Sequence, residues 1–200
     1  MGKIEAFFFL ALIIAAASLA VVIAKEHEII SITGLASSGT AITSVNLSEE
    51  ISIKTTGSID FGNGRVNSDA LNANLDSDAG TVVGGTWAAT QGYIMVENDG
   101  TVNISINLSA EGDKNAEGFI GGTSPEFQMK AIETEADACL ALQTAYTDIP
   151  NSTETPINIC DNLNFAQNKD EFNVSAKLVI PNDAVAGQRN VTLTFSASKV

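Results

Sequence analysis

Along most of this chain, apolar and polar residues alternate one for one. Between residues 101 and 110, Val102, Ile104, Ile106 and Leu108 fall on one side, and Asn103, Ser105, Asn107 and Ser109 fall on the other. Side chains of a strand point to opposite faces with period two, so this stretch predicts a strand with one buried face. The same pattern returns twice near the C-terminus. Phe172, Val174, Ala176, Leu178 and Ile180 share one face of a predicted strand, and Val191, Leu193, Phe195 and Ala197 share one face of the next. Pro181 and Gly187 punctuate the connection between them.

Shorter runs fill the rest. Ile30 and Ile32 alternate weakly, Ile51 and Ile53 more clearly, and Ile59 with Phe61 leads into the turn Gly62-Asn63-Gly64. Residues 65–85 are polar and bounded by Gly, which predicts a long connection. Tyr93 and Met95 lie in a further run that ends at Asn98-Asp99-Gly100. An Asp-Gly turn between alternating runs predicts a hairpin, with residues 92–97 paired antiparallel to 101–110. Residues 124–149 admit two readings. One is an amphipathic helix with Ser124 as N-cap and Pro125 at its first position. The other is a strand over 127–132 followed by a loop or short helix carrying Cys139. The strand fits better, because a long helix would stand alone in a β-patterned chain. Short strands separated by turns every 8–12 residues or so predict an all-β fold: an antiparallel β-sandwich, jelly-roll or immunoglobulin-like.

One segment breaks the alternation. Residues 6–24 contain no charged or strongly polar group, and "KEHE" follows them. Three readings compete: a secretory signal ending at Val22-Ile23-Ala24, a retained helix close to the roughly 20 residues that cross a bilayer, and a pilin-type leader cut after Gly2. All three take residues 25–200 out of the cytoplasm as one extracellular β-domain. If the segment is uncleaved, residues 6–24 contact the membrane. The two cysteines, Cys139 and Cys160, fit that setting, since an even count in an exported chain implies a disulfide.

The formal net charge is -14. An acidic surface repels the phosphate backbone, so nucleic acid is not an expected partner. Enzyme motifs are missing. His27 is the sole histidine and adjoins the hydrophobic segment, which leaves no Ser-His-Asp or Cys-His arrangement. No Gly-rich loop follows a predicted strand and opens a helix. Carboxylate pairs such as Glu133/Glu135 and Asp170/Glu171 read as solvated strand or loop edges, so an enzyme is not expected. A cation site has one candidate: Asn72, Asn74, Asp76 and Asp78 occupy alternate positions of a segment ending on Gly80. This resembles part of a calcium loop, without the bidentate Glu of the EF-hand. No other cofactor is indicated.

Asn-x-Ser/Thr occurs at Asn46, Asn103, Asn107, Asn151, Asn173 and Asn190. Asn103, Asn107, Asn173 and Asn190 lie on the polar side of alternating runs, Asn46 precedes one, and Asn151 follows Pro150 in a predicted loop. All six are expected N-glycosylation sites. An uncharged Asn/Ser/Thr strand face suits attached sugars or close packing against another copy of the chain.

The stretches "TGSIDFG", "WAATQGYIMVENDGTVNISINLSA" and "VIPNDAVAGQRNVTLTFSAS" resemble exported prokaryotic β-sandwich surface proteins, archaeal ones especially. They are similar in their succession of hairpins to TasA-like and archaeal bundling-pilus subunits. The resemblance implies a structural subunit of an extracellular filament or surface coat, a homopolymer at the cell surface. Copies would join by lending a strand, with "EHEIISITG" (residues 26–34) as candidate donor, or by bundling their N-terminal helices. The alternative is a membrane-anchored monomeric adhesin or ligand-binding β-sandwich module.

Overall fold

The computed structural model describes residues 48–200. The hydrophobic segment 6–24, the candidate donor 26–34 and the sequon at Asn46 lie outside the described residues.

Among the described residues, eleven strands form two antiparallel sheets, and one short helix joins them. The first sheet is built on the long strand β10 (Glu171–Pro181). Along one flank β10 pairs with β6 (Glu126–Glu133), and β6 pairs in turn with the two-residue β8 (Thr147–Asp148). The other flank is shared. β4 (Ile94–Asn98) takes the first part of β10 and carries β1 (Ile53–Gly57) outside it. β2 (Asn72–Asp76) takes the last part and carries β3 (Thr81–Val83). Ser77 stitches the junction: its N–H donates to the Ala176 carbonyl at 2.9 Å, and its hydroxyl oxygen accepts the Ala176 N–H at 2.9 Å. The second sheet has the order β11 (Leu193–Lys199), β5 (Ile104–Ala110), β9 (Ile157–Leu163), β7 (Cys139–Leu142). The helix, α1 (Ala116–Phe119), is one turn capped by the Asn115 side chain.

The alternation seen in the sequence becomes the core. Ile104, Ile106 and Leu108 of β5 are buried against Phe172, Val174 and Leu178 of β10, with Phe127 and Met129 of β6 beside them. Each fully buried Leu, Ile or Phe contributes about 1.5–3 kcal/mol. The two inner faces share this single cluster, which is the sandwich-like arrangement expected of an all-β chain.

Three expectations are corrected. Residues 92–97 and 101–110 do not form a hairpin. β4 is already flanked by β1 and β10, and β5 by β11 and β9, so the turn at Asn98-Asp99-Gly100 crosses from one sheet to the other. The crossing is held by Asn98, whose side chain is 2% exposed. Its Nδ2 donates to the carbonyls of Val102 (2.9 Å), Asn164 (3.1 Å) and Leu163 (3.2 Å), and its Oδ1 accepts the Gly100 N–H at 3.1 Å. Gly100 is needed there, because a Cβ would sit 2.4 Å from the Glu50 carbonyl. Second, residues 65–85 are not a plain connection: β2 and β3 lie inside them. Third, Cys139 opens strand β7 rather than lying in a loop or helix. The strand reading of 127–132 stands, extended to the eight residues of β6.

Candidate functional site

A two-sheet fold must close along two sides, and here the sides differ. On one, the segment after β7 ties the sheets together. The Gln143 carbonyl accepts the Ala131 N–H of β6, and the Gln143 N–H donates to the Ile159 carbonyl of β9. The disulfide Cys139–Cys160 joins β7 to β9 on the core side, with Cα atoms 5.9 Å apart. On the other side, β1 ends the first sheet and β11 ends the second, and neither has a second partner among the described residues.

The hydrogen-bond register shows which main-chain groups this leaves without a partner among the described residues. In an antiparallel pair, directly opposed residues alternate between exchanging both hydrogen bonds and exchanging none. Glu111 N–H donates to the Thr192 carbonyl, and Val200 N–H to the Asn103 carbonyl. Thr194, Ser196 and Ser198 therefore bond to β5, and the N–H and C=O of Leu193, Phe195, Ala197 and Lys199 point away from the sheet. The same parity applies to β4, where Asn98 N–H donates to the Asp170 carbonyl. It turns Lys54 and Thr56 of β1 toward β4 and leaves Ile53, Thr55 and Gly57 facing outward.

These residues also carry the inward side chains. Leu193, Phe195 and Ala197 are only half-buried, whereas Ile104, Ile106, Leu108 and Ala110 of neighbouring β5 are fully buried. Between the two edges lies a groove of about 280 Å³. Its walls include Gly57, Ile59 and Phe61 on one side and Leu193 and Phe195 on the other, over a floor of Met129 and Leu178. Phe119 of α1, 5.0 Å from the Phe127 ring, closes one end. At the other end the chain enters the sheet: Glu49 pairs with Lys199, and Thr101 N–H donates to the Glu50 carbonyl. A long edge strand without Pro or bulge, beside an unfilled apolar groove, can accept an added strand.

The predicted cation residues are arranged differently from a binding loop. Asn72, Asn74 and Asp76 project from the outer face of β2, and Asp78 follows it. Alternate Cβ atoms on one strand face stand about 7 Å apart, so the four residues are spread along the strand rather than wrapped around one point. Their oxygens also have protein partners. Asp76 Oδ1 accepts the Tyr146 phenol at 2.7 Å and the N–H groups of Asp78 and Ala79. Asp78 pairs with Lys130 at 2.6 Å, and Asn72 Oδ1 accepts from the Asn74 amide. The Lys130 ammonium, 4.7 Å from the Tyr146 ring centre, supplies the positive charge that a metal would bring. Burial opposes ionisation of Asp76, yet the Tyr146 phenol and the two N–H donors outweigh it and hold the carboxyl below its ordinary value. Burial and then the Asp76 carboxylate push the Tyr146 phenol up. A second acidic group lies where β4 meets β10. There burial, and then the nearby Glu135 carboxylate, raise Asp170 and Glu171.

The described sequons fall in three settings. Asn190 and Thr192 are exposed just before β11. Asn151 forms a local turn, its Oδ1 accepting the Thr153 N–H and hydroxyl at 2.9 and 2.7 Å. Asn107 and Asn173 lie within the sheets, Asn103 immediately precedes β5, and all three are half-buried, with the Asn103 amide oxygen covered. Ser109 and Ser175, which complete the sequons of Asn107 and Asn173, are buried.

No family model, curated protein or solved structure matches the chain. The resemblance to TasA-like and archaeal pilus subunits therefore rests on the hairpin pattern alone, and one of its hairpins is absent from the fold.

Proposed function

We propose that this protein is a structural subunit of an extracellular filament or surface coat, whose copies join through the open edge between β1 and β11. One observation carries the reading: seven outward-facing residues, four on β11 and three on β1, have no main-chain partner among the described residues and lie beside a half-covered apolar row. A strand lent by a neighbouring copy would satisfy those groups and fill the groove. Residues 26–34 of the neighbour have the needed alternation, and bundling of residues 6–24 is the other mode of joining. Head-to-tail contacts of this kind build open filaments rather than closed rings. The disulfide agrees with an oxidising location such as the cell surface. The groove also favours a second reading, a membrane-anchored monomer that binds an apolar ligand there.

Electron microscopy of undenatured protein from the cell surface separates the two, with Ala197→Pro as the informative variant. That substitution removes a free-edge donor and leaves every bond to β5 in place. Wild type is expected as regular filaments and the variant as dispersed, folded protein. Wild-type monomers dispersed in membrane would refute the filament reading and favour the ligand-binding one.

A further inference from the structure

We propose that oligosaccharide is carried on Asn151 and Asn190, two sequons that the fold brings to one end of the second sheet, and that Asn103, Asn107 and Asn173 stay bare. The proposal needs only the oxidising, exported setting that the disulfide fits, and it stands apart from the filament reading. The two sites are far apart in sequence and meet at the end of β5. There the Ala110 N–H donates to the Pro150 carbonyl, and the Glu111 N–H to the Thr192 carbonyl, each at 2.9 Å. Asn151 thus lies on the approach to β9 and Asn190 on the approach to β11, on either side of β5.

The chemistry sets two requirements. Attachment joins Asn Nδ2 to C1 of a sugar carried on a lipid phosphate. The bond from C1 to the phosphate oxygen breaks, the lipid phosphate leaves with its electron pair, and a base of the transferase takes the proton that Nδ2 loses. The transferase must therefore reach Nδ2 and, in an Asn-x-Ser/Thr acceptor, the hydroxyl two residues on. At Asn190 both are open. Asn190 and Thr192 are exposed, and residues 186–191 make no hydrogen bond to another main-chain group among the described residues. That segment can bend into an active site without breaking the sheets. At Asn151 the Thr153 hydroxyl and N–H both donate to Oδ1. They hold the hydroxyl beside the carboxamide and draw electron density toward Oδ1, which eases loss of a proton from Nδ2. Ser152 and Thr153 are exposed.

The other three sequons fail on the same counts. Asn107 is paired with Ser196 on one side and Asn158 on the other, and its Ser109 is 9% exposed. Asn173 is paired between Met95 and Ile132, and its Ser175 is fully buried. Ser105, which completes the sequon of Asn103, already accepts the Asn158 amide at 2.8 Å, and the Asn103 amide oxygen is covered. Presenting any of these to a transferase means stripping a strand from its neighbours and breaking several ladder hydrogen bonds at once.

The test uses the full chain recovered from its own cell surface, in an Asn46→Gln background so that only the described sequons report. Mass spectrometry of its peptides reads occupancy site by site, as a mass increment made of sugar residues. Increments are expected on Asn151 and Asn190 and on no other sequon. Asn151→Gln and Asn190→Gln should each remove one increment, and the two together should leave a chain without sugar that circular dichroism shows to be folded. An unmodified Asn151 or Asn190 overturns the proposal. Sugar on Asn103, Asn107 or Asn173 also overturns it, since transfer would then precede folding. Electron microscopy decides the filament reading separately. Filaments of unmodified protein refute only the sugar sites, and glycosylated protein found dispersed refutes only the filament.

Discussion

Replacing Asn98 tests how the two sheets are held together. Its side chain is 2% exposed and serves three carbonyls and one N–H where the chain crosses between sheets. Two amide hydrogens and one acceptor, at about 1 kcal/mol net each, put its contribution near 3 kcal/mol. Asn98→Leu recovers about 1 kcal/mol through apolar burial, which leaves a loss of about 2 kcal/mol. Asn98→Asp costs more, because a carboxylate would face three carbonyl oxygens, and an unpaired buried charge costs about 3–5 kcal/mol. The Asp variant also carries a pH signature. Those surroundings raise its folded-state pKa above the unfolded value of about 3.9. Its deficit against wild type is therefore smallest below pH ~4 and deepens as pH rises toward the folded pKa. Urea unfolding followed by fluorescence of Trp87, the only tryptophan, measures both. Trp87 reports folding because it lies against Gly64 and Gly85, where a Cβ would come within 2.3 and 2.7 Å of the ring. A loss below about 0.5 kcal/mol for Asn98→Leu at unchanged m-value, or an Asp deficit independent of pH, would refute the reasoning.

Two further predictions concern stability. Changing Cys139 and Cys160 together to Ser frees a loop with a sequence separation of 21, and the chain-entropy relation predicts a loss of about 3 kcal/mol, checked by urea unfolding under non-reducing conditions. Tyr146→Phe removes the phenol that holds Asp76 ionised. A charge-assisted bond discounted for partial exposure is worth about 1 kcal/mol. Because the folded-state pKa of Asp76 lies below its ordinary value, this stabilisation is complete above pH ~4 and is lost as pH falls through the folded pKa. The wild-type and Phe melting curves should therefore converge in acid, and a gap constant with pH would count against the assignment.

What could be read in advance follows from the range of each signal. Period-two alternation is local, so β5, β10 and β11 were visible residue by residue, while the stretch that forms β6 also admitted a helix. Pairing is not local. The Asn-Asp-Gly turn looked like a hairpin because its sequence cannot reveal that Asn98 points inward. β2 escaped for a related reason. Its outward Asn72, Asn74 and Asp76 drew the eye to metal chemistry, yet Ala73, Leu75 and Ser77 alternate with them, and all three are buried. The open edge was beyond reach altogether, because an unpaired strand and a paired one have the same pattern. Only the neighbouring strands show that Phe195 is half-buried and Leu108 fully buried.

The acidity of the chain and its open edge bear on each other through ionic strength. Repulsion between copies at -14 acts over a Debye length of about 10 Å at 0.1 M salt and about 3 Å at 1 M. Main-chain pairing and apolar burial act only at contact and are little screened. Encounter is therefore the step that charge opposes, and contact is the step that the edge would supply. Assembly followed by light scattering should quicken as sodium chloride rises from 10 to 500 mM, and a divalent salt at equal ionic strength should add little, because Lys130 already neutralises the Asp78 carboxylate. Assembly slowed by salt would mean that ion pairs between copies make the contact. A strong preference for calcium at matched ionic strength would mean that carboxylates of neighbouring copies share a cation, and the polymer contact would then have to be sought on the acidic surface of the first sheet.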